Sequence, residues 1–203
     1  EAIDHVVLAV RSLETAAAPF LRLGLRLSGT VQHTTGNELR TCSVGQGENL
    51  FFVELLAPAA DPAPGAPDTQ AELRRTLSAG GGLHLVALRV SQIEEAVTEL
   101  RERGIDAWTG ELVRMDGPKV ADIARFGDQE RMGIRAAIIE HETSVGTLVR
   151  ERQEAGLFGH DFPLKRLDHL ATIVRDLDAA TRYWDETMGV AVSGEVRTPA
   201  MII

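Results

Sequence analysis

Residues 3–14 read IDHVVLAVRSLE, residues 83–94 read LHLVALRVSQIE, and residues 167–178 read LDHLATIVRDLD. Each is an apolar run, then a polar capping residue, then an amphipathic stretch, so one strand-helix unit opens three times. Ile3 to Val10 is aliphatic enough for a strand buried on both faces, and Ser12 caps a helix running to about Leu23 that Pro19 should bend. In the second copy Ser91 and Glu94 form an S-x-x-E capping box ahead of the stripe Ile93, Val97 and Leu100. In the third, Asp176 is the cap and Leu177, Ala180 and Trp184 face one way until Gly189.

Working outward, the first helix is followed by three strand-like runs, Arg26 to Gln32, Leu39 to Val44 and Asn49 to Leu56, separated by turn-forming glycines and asparagine. The second helix is followed by Ala107 to Val113, Ile134 to Glu140 and Gly146 to Arg152. The expected plan is an α+β chain of tandem β-α-β-β-β modules. Module one spans 1–57, a linker with a short helix capped by Thr69 and Glu72 spans 58–82, and module two spans 83–154 with an insertion at 109–133. A connection at 155–166 leads to an incomplete third module at 167–203, whose last residues, Ala200 to Ile203, look like an interrupted strand.

Composition narrows the function. The 203 residues carry a formal charge of −9 and a pI near 5.2, which repels polyanions and disfavours nucleic acid and anionic membrane. The only cysteine is Cys42, a strand residue that excludes an intrachain disulfide and fits a reducing, cytoplasmic location. No run of about 18 apolar residues or basic-then-apolar leader is visible. Nucleotide, iron–sulfur and zincin motifs are missing too.

The run IDHVVLAV, its helix and the strand FFVELLAP resemble the vicinal oxygen chelate superfamily of glyoxalases, bleomycin-resistance proteins and extradiol dioxygenases. The third copy, LDHLATIVRDLDAATRYWDETMGVAVSGEV, is most similar to the opening module of methylmalonyl-CoA epimerases. The resemblance implies cupped mixed sheets with flanking helices, and metal ligands on the first and last strands of each module. That places His5, Glu54 and His169 as ligands of a divalent ion, with Glu54 also moving a proton. Imidazole and carboxylate suit iron, manganese, zinc, cobalt or nickel alike. A glutamate within LFFVELL is costly to bury unless it is paired, hydrogen-bonded or bound to a cation.

Module two departs from the pattern. Aligning the repeats sets Leu85 opposite His5, with His84 one residue early, and sets Arg150 opposite Glu54, or Glu151 after a one-residue slip. Glu54 then has an ion pair with Arg150 as its alternative to a metal. Either the first pair of modules is a degenerate, metal-free half, or His5 and Glu54 complete a site with module three or with a second chain in a homodimer. The insertion carries Arg114, Lys119, Arg125 and Arg131, suited to holding a carboxylate or phosphate over the cup. Asp116, Asp122, Asp128 and Glu130 offset them, as on a solvated loop. His141 falls at a strand end or turn.

The implied activity is that of a metal-dependent isomerase or lyase of the glyoxalase and epimerase kind, acting on a small oxygenated substrate that chelates the ion. The alternatives are an iron(II) dioxygenase of four-module plan and a metal-free small-molecule binding protein of the bleomycin-resistance type.

Overall fold

The computed structural model describes residues 2–45, 47–60, 70–127 and 129–194. Module one forms β1 (Ala2–Ala9), α1 (Leu13–Arg22), β2 (Val31–Gln32), β3 (Asn37–Val44) and β4 (Phe51–Pro58). After the helix α2 (Gln70–Ser78), module two forms β5 (Gly82–Arg89), α3 (Ile93–Glu102), β6 (Ala107–Val113), β7 (Lys119–Phe126) and β8 (Ala136–His141). Two helices follow, α4 (Val145–Glu154) and α5 (Leu177–Arg182). All eight strands join one mixed sheet, in the order β2-β3-β4-β1-β5-β8-β7-β6, that curls into a half-barrel with flanking helices.

At the centre β1 and β5 run antiparallel, with Val6 opposite Val86, His5 opposite Ala87 and Val7 opposite Leu85. A local two-fold axis beside Val6 and Val86 thus exchanges His5 with Leu85 and Val7 with Ala87. The two register breaks obey the same symmetry. Asp4 is the extra residue between Ile3 and His5, and His84 the extra residue between Leu83 and Leu85. Such a bulge re-aims the side chain it carries.

The outer face is covered by helices. Leu13 and Ala17 of α1 bury against Cys42, Leu55 and Ala57, and Ile93, Val97 and Leu100 of α3 pack on Ala124, Phe126, Ala136 and Ile138. The middle of the inner face is apolar as well, built from Val7, Leu85, Ala87, Ala121, Ala137 and Ile139. The α3 stripe read from sequence is therefore a core element. Leu100→Ala should cost about 2–4 kcal/mol through lost burial and an unfilled cavity, measurable as a shifted urea midpoint; a loss near zero would mean that α3 is not docked.

Several local expectations change. Ser12 accepts from Thr15 N and Asp176 from Ala179 N, as expected of caps. The N-cap of α3, however, is Gln92, and the amide of Ile93 donates to the Glu140 carboxylate of β8. Thr69 lies outside the described residues, as do Asp128 and Ala200 to Ile203. Only Val31–Gln32 of the run from Arg26 is paired as a strand.

Two differences move the site. Residues 119–126, expected within an insertion loop, form β7, whose Ala121, Ala124 and Phe126 are buried. Its charges are tolerated because Lys119 is ringed by Glu111, Asp122 and Glu142. Residues 146–152, expected as a strand, lie in α4. Both edges of β8 are already taken by β5 and β7, so the chain leaves the sheet, and Ser144 caps the new helix by accepting from Thr147 N.

Residues 167–174 form no strand. A strand needs a ladder partner, and Leu167 and Leu170 instead rest on Val6, Val44, Phe51 and Val86.

Candidate functional site

The parallel register of β1 and β4 sets His5 beside Phe52 and Val7 beside Glu54. Side chains alternate along a strand, so His5, Phe52 and Glu54 all point to the inner face. On β3, Ser43 lies opposite Phe52 and Thr41 opposite Glu54. These five side chains make a polar floor in module one. From α4, Arg152 reaches over this floor. Its Nη1 donates to Thr41 Oγ1 and Ser43 Oγ, each at 3.0 Å, and its guanidinium carbon sits 3.8 Å above the Phe52 ring centre.

Asp4, fully buried at its bulge, is the hub behind this floor. His5 Nδ1 donates to Asp4 Oδ1 at 2.7 Å, Arg89 Nε to Oδ2 at 2.6 Å, and His141 Nε2 to the same carboxylate at 3.1 Å. Arg89 also donates to the Leu50 carbonyl. An ionised carboxylate only accepts, so Nδ1 of His5 must carry hydrogen and Nε2 is left for a ligand.

The electrostatics follow from crowding. Burial would raise the Asp4 pKa, but hydrogen bonds from His141 and His5 and their charges hold it well below the usual carboxylate range. Burial would depress His5, yet the Asp4 hydrogen bond and the Glu54 and Asp4 charges outweigh it and raise its pKa. Burial dominates at Glu54 and pushes its carboxyl up, against the attraction of His5 and Arg152. Burial brings Arg152 down to about 10 despite Asp4, Glu54 and Glu151, so it stays cationic at neutral pH. An imidazole and a carboxyl, both with raised pKa, and a fixed cation thus share one inner face.

Among the described residues no group of three or more His, Cys, Asp or Glu side chains is placed to hold a metal ion. Within these two modules the donor set falls short of what a divalent ion needs. The axis carries His5 onto Leu85. Because Glu54 pairs with Val7 and Ala137 with Ala87, it carries Glu54 onto Ala137. Module two therefore presents two aliphatic groups where module one has two donors. Asp4 is already committed to three nitrogen groups, and Arg152 adds positive charge.

Of the three ligands expected from sequence, His5 and Glu54 come together. His169 does not join them: its ring is 77% exposed and, among the described residues, bonded only to neighbouring Asp168 at 2.7 Å, and its segment packs on the face opposite His5. Arg150 makes no bond to Glu54; the arginine over the floor is Arg152. Asp4, Arg89, His141 and Arg152 were not singled out as site residues. One signal was present for Asp4, because the Asp-His pair of IDH recurs in LDH, where Asp168 and His169 repeat the same contact.

A family profile described as a glyoxalase-like domain matches residues 3–156. The chain belongs to the glyoxalase-like domain family. No curated protein matches this glyoxalase-like chain. Among solved structures it is similar to a variant of the Streptomyces coelicolor methylmalonyl-CoA epimerase in complex with 2-nitronate-propionyl-CoA. That similarity has 15% identity and a TM-score of 0.55, covering 70% of this chain and 97% of the epimerase. A hypothetical protein from Bacillus halodurans C-125 matches at 24% identity and TM-score 0.52, covering 70% of this chain and 96% of that one. One from Staphylococcus aureus matches at 16% and 0.57, covering 75% and 62%. These identities establish the vicinal oxygen chelate fold alone. Among the described residues no helix is long and apolar enough to cross a membrane.

Proposed function

We propose that this glyoxalase-like chain moves a proton on a small oxygenated acid, as an isomerase or lyase of the glyoxalase and epimerase kind, with Arg152 holding the anionic oxygen. The observation that carries this reading is the Asp4-His5 pair beside Glu54 on the floor that Arg152 covers. Glu54 accepts a proton from the carbon next to a carbonyl or carboxylate, and the Arg152 guanidinium steadies the charge that develops on oxygen. His5, held by Asp4, returns a proton through Nε2.

A second reading keeps His5 and Glu54 as the two visible ligands of a divalent ion. It is favoured by their shared inner face and needs further donors, either His169 in another arrangement or a second chain in a homodimer. A metal-free binding role is favoured instead by Leu85 and Ala137.

Deuterium incorporation from heavy water separates the three. Chelator-treated protein would be incubated with 2-oxo acids, 2-hydroxy acids and methylmalonyl-CoA, the last because an epimerase of this fold binds it, and followed by proton NMR. Exchange without added metal, weakened by Arg152→Gln, is the expected result. Exchange that returns only with stoichiometric metal, and not in His5→Ala, supports the metal reading. Binding without exchange supports the binding protein.

A further inference from the structure

The local two-fold axis places a second polar cluster in module two. Thr41 and Phe52, which receive Arg152, correspond to Arg125 on β7 and to Arg135 just before β8. The helix that follows module one, α2, reaches onto this cluster just as α4 reaches onto the first, but with the charges reversed. Glu72 Oε2 accepts from Arg125 Nη1 at 2.9 Å and Oε1 from Arg135 Nη2 at 2.5 Å, with Arg75 3.6 Å away. Leu73 and Leu77 anchor α2 against Ala9 and Leu56.

These groups line a cleft of about 800 Å³ that also includes His84, Leu83 and Trp108. Among the described residues three arginines face one glutamate in this lining, a cationic balance although the chain as a whole is acidic. Each guanidinium offers five N–H donors. Among the described residues Arg125 and Arg135 each make one hydrogen bond, to Glu72, and they are 29% and 39% exposed. His84 is turned by its bulge to Thr76, with 2.8 Å between Nδ1 and Oγ1. Burial and the charges of Arg135 and Arg125 hold its pKa at about 4, so it is a neutral partner at pH 7. Trp108 and Leu83, 48% and 43% exposed, supply an apolar wall. This cleft lies toward the start of β5, and its Leu85 pairs with Val7, the β1 residue beside Glu54, so it flanks the Glu54 floor on the module-two side.

We infer that the Arg125–Arg135–Trp108 cleft is a second binding site, beside the Glu54 floor, for a small organic dianion on a flat apolar body, a phosphate monoester or a dicarboxylate. Paired guanidinium forks suit either group, and the Glu72 carboxylate already occupies part of that position from within the chain. The apolar wall selects a flat body over a bare ion.

Calorimetric titration with phenyl phosphate, phthalate, inorganic phosphate and benzyl alcohol tests this, with the Trp108 indole N–H followed by NMR. Phenyl phosphate or phthalate should bind and shift the Trp108 signal, and benzyl alcohol should not bind. Arg125→Gln and Arg135→Gln should each weaken binding by about tenfold or more, the loss of one charge-assisted contact. Glu72→Gln should tighten it by a similar factor, because the internal competitor loses its charge. Whichever of phenyl phosphate and phthalate binds more tightly identifies the natural group. No binding by wild type and by folded Glu72→Gln, binding indifferent to both arginine variants, or inorganic phosphate binding as tightly as phenyl phosphate overturns the inference.

Discussion

Asp4→Asn is expected to lower the unfolding free energy by about 3–5 kcal/mol, the usual range when one partner of a buried ion pair is removed. Asp4 is fully buried and Arg89 nearly so, and Asp4 is the ionic partner of Arg89 and the acceptor for His5 and His141. The amide keeps the shape but leaves the guanidinium uncompensated and offers a donor where three donors already point. Urea denaturation at neutral pH measures this, and a loss under about 1 kcal/mol, as at exposed pairs, would mean that the hub is not formed.

The same cluster gives stability a defined pH dependence. His5 has a raised pKa in the fold, so its contribution is fully present below the ordinary imidazole value of 6.5 and is lost as pH rises through the raised value. Glu54, also raised, works in the same direction from a lower starting point, its ordinary 4.5, because the fold favours its protonated form. Asp4 is depressed, so its contribution is present above 3.8 and lost only on strong acidification. The urea midpoint should therefore decline from pH 6 to 9. His5→Gln should flatten the decline above 6.5, and Glu54→Gln should remove the part that starts lower. A profile identical in all three proteins would reject the assignment.

Glu54→Gln is expected to separate stability from function. Exchange of whichever acid passes the deuterium screen should fall by about 100-fold or more, the span of general acid–base catalysis. Stability at pH 7 should stay level or rise, since burial already disfavours the ionised carboxyl. Ligand affinity should change little, because Arg152 supplies the anion contact. Retained exchange in this variant would move the proton-transfer role to His5 alone.

How much of this was legible beforehand depends on the range of the interactions. The strand-helix openings, the caps at Ser12 and Asp176 and the α3 stripe are local. Each follows from hydrogen bonds and apolar spacing within a few residues, so the repeated fold could be read from the first two aligned segments, while the third forms its helix but not its strand. The capping box at Ser91 was local too, yet the Glu140 carboxylate, from a strand 47 residues away, took the Ile93 amide.

The site was half legible. His5 and Glu54 stood out because polar groups in apolar strands need partners, and the sheet does bring them onto one face. Their partners were not legible. Residues 146–152 look strand-like in isolation, and only the occupied edges of β8 turn them into a helix that carries Arg152 to Phe52. Arg125 stood in a charged loop that could hold an anion or simply be solvated, and Arg135 carried no signal; their shared position follows from the pairing of β7 and β8 beneath α2.

The sequence by itself determined the repeat, the fold class and the two unusual inner residues of module one, because those rest on periodicity and short-range capping. Only the tertiary structure decided that the symmetric positions are Leu85 and Ala137, and that one helix after each module sends a charge into the other. Those facts depend on sheet register and edge occupancy, which are set by contacts between residues far apart in the chain.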